Sequence, residues 1–410
     1  MKPSHVEWVG DIPTDWDVEP FFKVMPETGS PNSGLTEVNL LSLSYGQIIR
    51  KDIDSNDGLL PASFETYQIV EPGDIVFRFT DLQNDKRSLR SALVRERGII
   101  TSAYLAVSPK TCLPSYADFL MRSYDTTKVF YSFGGGVRQS LTYSDVKRLP
   151  VLVPPIGTQR AIVGFLKRET AQIDALMGKQ ERLVDVLGER RSALIARTLT
   201  AGLDPTVETA PSSTNWLGNL PEHWQTVPTR YLCKITTGSE DSGNAEDDGE
   251  YPLYVRGREI LRIGHYSFDC EAVMTPGDGQ GGTGKVFHYF NGKFEAHQRV
   301  YVFKDFRNLL GRFFYYYLSA FLQPVALAGS NTVTMESLRR PLLAAFPVAL
   351  PPIEEQGRIV DYLDHETAKI DALIEKAKAM NVVLRERRSA LISAAVTGKI
   401  DVTKRIEGAG

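Results

Sequence analysis

The sequence has few cysteines and no long apolar run. Cys112, Cys233 and Cys270 are the three cysteines in 410 residues, and they lack the close spacing of a zinc site. This pattern excludes a disulfide framework and predicts reduced thiols. No stretch approaches the roughly 18 apolar residues that a membrane span requires, and the first residues lack a basic segment followed by an apolar one. We therefore expect a cytoplasmic protein that does not enter a membrane.

The sequence also lacks a surplus of either charge. It has 47 basic and 50 acidic residues and a formal net charge of −3. This balance argues against a uniformly basic nucleic-acid-binding protein, although a small net charge can conceal a basic face. Hydrophobic residues form 42% of the chain, which is enough to fill the cores of two or three domains.

Signatures of catalysis are missing as well. No G-x-S-x-G elbow occurs, and no Cys, Asp or Glu completes a metal-ligand spacing with His288 and His297. The chain lacks the Asn-Pro-Pro-aromatic or Asp-Pro-Pro-Tyr tetrad of amino-methyltransferases, and it lacks a Pro-Asp nuclease core. We expect it to catalyse no reaction by itself and to hold neither a metal nor a cofactor.

A glycine-rich run matches two nucleotide-binding patterns. Residues 279–285 fit G-x-x-x-x-G-K, and the glycines from 277 to 282 fit G-x-G-x-x-G. A phosphate loop also needs Ser or Thr after its lysine and a helix whose N-terminus faces the anion. Residues 286–290 are strand-like instead. A loop that presents Lys285 to a polyanion is therefore favoured over a nucleotide hydrolase.

The chain contains a long internal repeat. Residues 154–204 recur as residues 351–401 at a constant offset of 197, and the two copies agree at 26 of 51 positions. Each copy follows a globular segment that opens with W-x-G-x-x-P-x-x-W, starting at Trp8 and at Trp216. The repeated unit is therefore a globular segment followed by this copy.

Both copies carry apolar residues in alternating steps of three and four. A period of 3.5 residues over about four heptads is typical of a helix that supercoils against a partner. Forty such residues would extend about 60 Å, so we call the copies the first and second rods. The residues expected at the rod interface are Ile162, Leu166, Ile173, Leu176, Leu183, Leu187, Leu194, Ile359, Leu363, Ile370, Leu373, Met380, Leu384 and Leu391.

The two rods are expected to pack against each other, antiparallel, within one chain. The alternative is a coiled coil between two molecules. Glu169 and Arg190 in the first rod correspond to Glu366 and Arg387 in the second. An antiparallel pairing would therefore set an acid from one rod against a base from the other.

These patterns predict an α+β protein with six segments. It has two similar mixed α/β domains, separated and joined by two long antiparallel coiled-coil helices, with a pseudo-twofold internal repeat. The expected boundaries are 1–150 for the first head, 151–203 for the first rod, 204–213 for a linker, 214–346 for the second head, 347–403 for the second rod and 404–410 for a tail. Strands are predicted at 73–79, 99–107, 286–290 and 299–303, helices at 116–130 and 312–321, and a capping box at Thr142–Asp145.

Basic side chains in the predicted loops of both heads are interleaved with amides and hydroxyls. Arg and Lys neutralise phosphates and read guanine, while Asn and Gln match the paired donor and acceptor of adenine. This mixture favours sequence-specific binding of duplex DNA over a merely solvated surface. The candidate DNA-binding residues are Arg78, Gln83, Asn84, Lys86, Arg87, Arg90, Arg138, Gln139 and Ser140 in the first head, and Arg256, Arg258, Lys285, Gln298 and Arg299 in the second.

Three duplicated motifs resemble the specificity subunit of Type I restriction-modification systems. The first is Leu-Pro-Val-Leu-Val-Pro-Pro-Ile-x-x-Gln at 149–159, with Phe-Pro-Val-Ala-Leu-Pro-Pro-Ile-x-x-Gln at 346–356. The second is Glu-Thr-Ala-x-Ile-Asp-Ala-Leu at 169–176 and 366–373, and the third is Glu-Arg-Arg-Ser-Ala-Leu-Ile at 189–195 and 386–392. With the tryptophan-flanked openings, the resemblance covers essentially the whole chain.

The resemblance implies that each head is a target recognition domain that reads one half of a split sequence in double-stranded DNA. It implies that the rods set the half-site spacing and dock two modification subunits, which carry S-adenosylmethionine and methylate adenine N6. A motor-nuclease subunit would join for cleavage. The alternatives are a coiled-coil scaffold with two protein-binding heads and the recognition subunit of a Type II-like restriction-methylation system.

Overall fold

The structure, a computed structural model, describes residues 1–53, 63–82, 89–133, 140–278, 284–328 and 337–402. The chain divides into two compact units. The first unit is formed by Met1–Gln180 together with Ala379–Gly410, and the second by Glu181–Lys378. Among the described residues, no helix combines the length and the apolar character needed to cross a bilayer.

The first half of the chain contains many short strands and ends in a long helix. Its elements are β1 (Lys2–Pro3), β2 (Asp11–Ile12), β3 (Asp17–Pro20), α1 (Phe21–Val24), β4 (Ser30–Pro31), β5 (Leu41–Ser44), β6 (Gln47–Arg50), β7 (Gln68–Val70), β8 (Ile75–Phe77), β9 (Ser91–Leu93), β10 (Gly98–Ile100), β11 (Leu105–Val107), α2 (Pro114–Thr126), α3 (Tyr143–Val146), β12 (Pro150–Val153) and α4 (Ile156–Ala201).

The second half has fewer and longer strands and ends in another long helix. Its elements are β13 (Thr209–Pro211), β14 (Asn219–Pro221), β15 (Gln225–Pro228), α5 (Thr229–Leu232), β16 (Lys234–Thr237), β17 (Tyr251–Tyr254), β18 (Ile260–Ile263), β19 (Phe268–Pro276), β20 (His288–Ala296), β21 (Val300–Lys304), α6 (Gly311–Ala328), α7 (Arg340–Ala345), β22 (Pro347–Leu350) and α8 (Ile353–Val396). The helices α4 and α8 are the two predicted rods.

In the first head, small sheets surround the apolar face of α2. The strand orders are β10-β7-β4 and β11-β8-β9, with antiparallel neighbours. Tyr116, Leu120 and Tyr124 lie one helical turn apart on α2 and are almost completely buried, in one core with Phe77 of β8. The predicted capping box is confirmed, since Thr142 N donates to Asp145 Oδ2 at 2.7 Å before α3.

In the second head, one six-stranded sheet packs against an aromatic helix. The strand order is β16-β21-β19-β20-β17-β18, and β17 with β20 is the parallel pair in this sheet. The β19–β20 hairpin extends its pairing from Phe268↔Phe294 to Met274↔His288. Phe313, Phe314 and Tyr317 of α6 are buried on one side of that helix and share a core with Val273 and Phe303 of the sheet.

Two predicted elements of the first head differ from the observed ones. The predicted strand 99–107 is two strands, β10 and β11, each in a different sheet. The helix predicted over 116–130 ends at Thr126, because Lys128 takes a left-handed conformation with φ of 65°. The predicted linker 204–213 is also partly regular, since β13 within it pairs antiparallel with β14.

Each unit contains the same junction between its head and a rod. Strand β3 pairs antiparallel with β12, and β15 pairs in the same way with β22. The buried Gln159 accepts a hydrogen bond from Leu113 N at 2.8 Å and donates to Pro154 O at 2.8 Å. At an offset of 197, Gln356 accepts from Leu310 N at 2.9 Å and donates to Pro351 O at 2.9 Å. The internal repeat therefore extends to individual hydrogen bonds.

The rods pair antiparallel within each unit. In the first unit, Ile162 shares a core with Ala395. Farther along α4, Asp174 Oδ1 accepts from Arg388 Nε at 2.8 Å. The partner's number falls as the α4 number rises, which defines the antiparallel direction.

The second unit repeats this pairing. Arg191 Nε donates to Asp371 Oδ1 at 2.8 Å, and Leu199 shares a core with Ile359. The prediction that the rods pair within one chain is confirmed. The ion pairs use Arg191 and Arg388, one residue beyond Arg190 and Arg387, the bases considered from the sequence.

The predicted rod interface is wrong at four positions. Leu176, Leu183, Leu373 and Met380 are between 41% and 49% exposed. The predicted line has a period of 3.5 residues, whereas the buried or half-buried line advances by 3.6 residues per step, and the difference of about 20° per heptad accumulates. That line is Ile162, Leu166, Thr170, Ile173, Met177, Gln180, Val184, Leu187, Arg191, Ile195 and Thr198 in α4, with Ile359, Leu363, Thr367, Ile370, Ile374, Ala377, Asn381, Leu384, Arg388, Ile392 and Ala395 in α8.

Candidate nucleic-acid interface

Six of the candidate DNA-binding residues lie outside the described residues. They are Gln83, Asn84, Lys86, Arg87, Arg138 and Gln139. The remaining candidates are three residues of the first head and five of the second. Among these eight candidates, one residue is buried in the interior and the others lie at or near the surface.

Arg90 is the internal residue. It has no exposed surface, and its guanidinium donates from Nη1 to Thr80 O at 3.0 Å and from Nη2 to Asp81 O at 3.3 Å. Its backbone N donates to Asp125 Oδ2 at 2.6 Å. A side chain enclosed in this way holds a loop together and does not reach a DNA groove. We therefore remove Arg90 from the candidate DNA contacts, which the residue's charge alone had suggested.

Arg78 and Ser140 lie on neighbouring segments of the first head. Leu141 N, directly after Ser140, donates to Phe79 O at 3.0 Å, and Phe79 directly follows Arg78. Arg78 is half-buried and Ser140 is exposed. The structure thus brings together two candidates that are about sixty residues apart in the sequence.

In the second head, two candidate arginines converge on one aspartate. Arg299 Nη1 lies 3.0 Å from Asp278 Oδ2, and Arg256 Nη1 lies 3.8 Å from Asp278 Oδ1. Both arginines are about half exposed. Gln298, which precedes Arg299, is exposed as well. This one carboxylate cannot neutralise both guanidiniums by itself, and Asp241, whose Oδ2 lies 3.6 Å from His297 Nε2, is a second carboxylate in this part of the surface.

A buried histidine supports the segment that carries Gln298 and Arg299. His297 is 2% exposed, and its Nδ1 accepts from Arg299 N at 3.0 Å. Burial, followed by the nearby Arg256, lowers the pKa of His297 below its ordinary value. The imidazole is therefore neutral at pH 7 and keeps Nδ1 as an acceptor.

Arg258 and Lys285 line a basic cavity of about 480 Å³ in the second unit. The imidazole of His288 lies in this cavity with Nε2 3.2 Å from Gly257 O, and burial lowers the pKa of His288. Lys285 is followed by strand β20 and not by a helix, which agrees with the expectation that it does not belong to a phosphate loop. The lining residues are Arg191, Arg258, Lys285, Val286, Phe287, His288, Tyr315, Tyr316 and Ser319.

A cavity of about 680 Å³ occupies the corresponding place in the first unit. Arg388 of the first unit and Arg191 of the second stand 197 residues apart, as do the lining residues Asp118 and Tyr315. The charged lining residues of the first cavity are Arg95, Asp118, Arg122, Lys167, Asp174 and Arg388. The sequence analysis missed these basic residues, although the offset of 197 would have related Arg388 to Arg191.

The first cavity also contains a carboxylate in an unfavourable position. Burial raises the pKa of Asp118, and the charges of Arg122, Arg95 and Arg388 act in the opposite direction. Arg122 is itself held by a hydrogen bond from Nη2 to Gly46 O at 2.8 Å. The first cavity is therefore a mixed-charge pocket, whereas the second is lined by cations, aromatic rings and hydroxyls.

The exposed basic residues fit a polyanion. Arginine and lysine side chains on loops and strand ends can pair with phosphates and with guanine edges, and tyrosine hydroxyls can donate to phosphate oxygens. In the part of the chain that the structure describes, one group of side chains has metal-ligand geometry, and it contains Glu240, His265 and Glu295.

Comparison with known proteins identifies relatives for both the sequence and the fold. The family described as Type I restriction modification DNA specificity domain matches residues 221–380. The EcoDI type I restriction enzyme specificity subunit of Escherichia coli is 29% identical over 183 residues, which cover 45% of this chain and 40% of that protein. The MjaX specificity subunit of Methanocaldococcus jannaschii is 22% identical over 426 aligned positions and covers 96% of both chains.

Two solved structures share the fold. A chain from a study of complex assembly and conformational transition in the type I R-M system has a TM-score of 0.73 at 18% identity, covering 95% of this chain and all of that one. The HsdS subunit from Thermoanaerobacter tengcongensis has a TM-score of 0.51 at 17% identity, covering 95% and 98%. Both alignments extend over nearly the full length of this chain.

Proposed function

We propose that this chain is a DNA specificity subunit of a type I restriction-modification system and that its two heads each read one half of a bipartite DNA target. The observation that carries the proposal is the repetition of one head–rod junction beneath two different basic surfaces. Gln159 and Gln356 make the same hydrogen bonds, whereas the heads above them expose different side chains.

We propose that the second head contacts DNA through Arg256, Arg258, Lys285, Gln298 and Arg299. The exposure of the arginines and their half-neutralised charge support this assignment, because a guanidinium can exchange one carboxylate oxygen for a phosphate or guanine. In the first head, Arg78 and Ser140 remain candidates, as do the six residues outside the described ranges.

We propose that the rods set the distance between the half-sites and dock two modification subunits. Helices of 46 and 44 residues would each extend about 65–70 Å, which is about two turns of duplex DNA. The methyl donor S-adenosylmethionine and the adenine-methylating site belong, in this proposal, to the modification subunits, and cleavage belongs to a motor-nuclease subunit. The chain described here contributes recognition and no catalytic step. Methylation within a duplex would require the partner to flip the target base out of the stack.

The test is an exchange of heads followed by mapping of methylated adenine. Residues 1–150 are replaced by the corresponding segment of another family member, and the chimaera is expressed with the modification subunits. We expect one half of the methylated motif to change while the other half and the spacer stay the same. An unchanged motif, or a change in both halves, contradicts the assignment of one head to each half-site.

Salt dependence separates this function from a protein-binding scaffold. Phosphate contacts release counterions, so the affinity of the assembled complex for its DNA should fall steeply between 50 and 200 mM salt. A scaffold would bind protein partners with little salt dependence and would show no DNA affinity when modification subunits are supplied. Arg299→Ala should reduce the salt slope, since it removes one phosphate-pairing charge.

A further inference from the structure

The end of strand β20 carries a buried carboxylate that has a hydrogen bond at only one of its two oxygens. Glu295 has no exposed surface, and its Oε1 accepts from Ala296 N at 2.9 Å. Its Oε2 is also buried and has no hydrogen-bond partner among the described residues. Burying a carboxylate oxygen without any partner is unfavourable, so such an atom in a folded protein requires a partner such as a water, a proton or a cation.

Two further ligands converge on this carboxylate. Glu240, Glu295 and His265 each offer one ligand atom, and these three atoms lie within 4.8 Å of one another. His265 Nε2 is 3.0 Å from Glu240 Oε1, and the other oxygen of Glu240 accepts from Asn244 Nδ2 at 2.8 Å. Glu240 is therefore held in place from both of its carboxylate oxygens.

The backbone explains how residues far apart in sequence meet here. The chain passes so close to the end of β20 at Gly238 that a Cβ there would lie 1.8 Å from Ala296 O, which only glycine permits. Glu240 N then donates to Ala296 O at 3.2 Å, and Gln298 N donates to Glu240 O at 2.8 Å. The segment that carries Glu240 is thus hydrogen-bonded along the strand end that carries Glu295.

We propose that Glu240, His265 and Glu295 bind one divalent transition-metal ion of the Zn²⁺ class. Zinc takes imidazole nitrogen and carboxylate oxygen at about 2.0–2.2 Å, and three protein ligands leave a position for water. The imidazole favours zinc and other late first-row metals over magnesium, calcium and manganese, which prefer oxygen ligands. Two carboxylates supply two negative charges to a dication. His265 is more than half exposed and gives the ion a route from solvent.

Such an ion would hold the surface of the second head in place. The Glu240 segment is bonded to Gln298, and Arg299 follows next along the chain. A metal that fixes Glu240 against Glu295 therefore also fixes the backbone of these two residues. We assign the ion a structural role, with water completing the coordination that three protein ligands leave open. The binding of the ion does not depend on the proposed DNA contacts, and it can be tested without DNA.

The experiment is zinc titration of the purified full chain after dialysis against a chelator. We expect one equivalent of Zn²⁺ to bind, to remain with the protein through gel filtration and to raise the unfolding temperature. Glu295→Gln should weaken this binding at least tenfold, because it replaces the buried anionic ligand with a neutral amide of the same shape. His265→Asn should have a similar effect.

A matched control separates the site from adventitious binding to surface groups. Asp248→Asn removes an exposed carboxylate from the same part of the second head and should leave the zinc affinity unchanged. In chelator, Glu295→Gln should unfold at nearly the same temperature as the parent, because glutamine keeps the shape of the side chain and an oxygen that can accept from Ala296 N. This result would show that the variant has lost affinity for zinc without losing its fold. The absence of a zinc equivalent in the parent overturns the proposal. Equal affinity in Glu295→Gln and Asp248→Asn overturns it too, and so does binding of Mg²⁺ as tight as that of Zn²⁺.

Discussion

The two heads differ in fold, whereas the junctions between each head and its rod are alike. Gln159 and Gln356 bind Leu113 N and Leu310 N at nearly equal distances, and all four residues obey the offset of 197. Above these junctions, the first head folds into several small sheets and the second into one sheet of six strands. One hydrogen-bonded junction can therefore support heads of different architecture. Each head needs only a backbone N–H at the start of a helix, from Leu113 or Leu310, that the glutamine of the rod can accept.

The two cavities show the same contrast at the level of single residues. Arg388 and Arg191 are identical and each binds an aspartate of the opposite rod, Asp174 or Asp371. The residues that the heads contribute have changed, with Asp118 in the first cavity where Tyr315 stands in the second. Rod chemistry is therefore repeated, while head chemistry is free to diverge.

The largest expected effect compares two arginines with opposite surroundings. Arg90→Met should destabilise the first head by about 3 kcal/mol, because the carbonyls of Thr80 and Asp81 lose their buried donor. Arg299→Met, at an exposed site, should change stability by less than about 0.5 kcal/mol. Hydrogen exchange, which resolves the heads separately, measures both. If the two variants unfold alike, the internal role of Arg90 is wrong.

The second prediction tests whether the two junctions are equivalent. Gln159→Leu and Gln356→Leu should each destabilise their own junction by about 2 kcal/mol, because each leaves a buried backbone N–H without an acceptor. Faster exchange at the Leu113 amide in one variant and at the Leu310 amide in the other is the expected signal. Gln172→Leu, on an exposed face of the first rod, is the control and should affect neither. A large effect in only one unit contradicts the equivalence.

A third prediction concerns the pH dependence of the first cavity. Burial raises the pKa of Asp118 above its ordinary value of 3.8, so the native state favours its neutral form. The stability associated with this group is present at low pH and is lost as the pH rises through the folded-state pKa. Asp118→Asn should therefore stabilise the first head at pH 7, and this gain should shrink as the pH falls toward 4. If Asp118→Asn stabilised the first head equally at pH 7 and at pH 4, the titration of Asp118 could not be the cause of the stabilisation.

The smallest effect is expected at the repeated ion pairs of the rods. Asp174–Arg388 and Asp371–Arg191 are partly exposed, so double-mutant cycles to alanine should give coupling energies of about 0.2–1 kcal/mol. The two values should agree, and both should decrease at high salt. A large coupling energy in one unit and a negligible one in the other would contradict the equivalence of the two ion pairs, although their distances are equal.

The sequence predicted the repeated frame because repetition is visible in residue identity. The rods, their intrachain pairing, the capping box, the start of strand β20 and strand β21 follow from local patterns or from the offset of 197. The interface of the rods was predicted only in part, since a 3.5-residue period and a 3.6-residue period differ too little to be separated by eye over one heptad. Over ten steps the two periods differ by a whole residue. At Leu176 and Leu373, the fifth positions of the predicted lines, the half-buried residue is already the next one along the helix.

Other features depend on tertiary contacts that no local pattern contains. The burial of Arg90 requires the carbonyls of Thr80 and Asp81 to turn inward, and a cation in a polar stretch gives no sign of this. The cluster of Glu240, His265 and Glu295 joins residues 25 and 30 positions apart, far beyond any metal-ligand spacing. Close backbone approach at Gly238 brings Glu240 to Glu295, and the sequence shows this contact only as one glycine among 33.

The most direct test of the central claim lengthens both rods by the same amount. One heptad is inserted after Gln180 and another after Ala377, positions that are equivalent in the two copies. Because seven helical residues add about 10 Å, mapping of methylated adenine should show a spacer longer by about three base pairs between two unchanged half-sites. A complex that still methylates its DNA with the original spacer, or with altered half-sites, would contradict the role of the rods as the element that separates two independent readers.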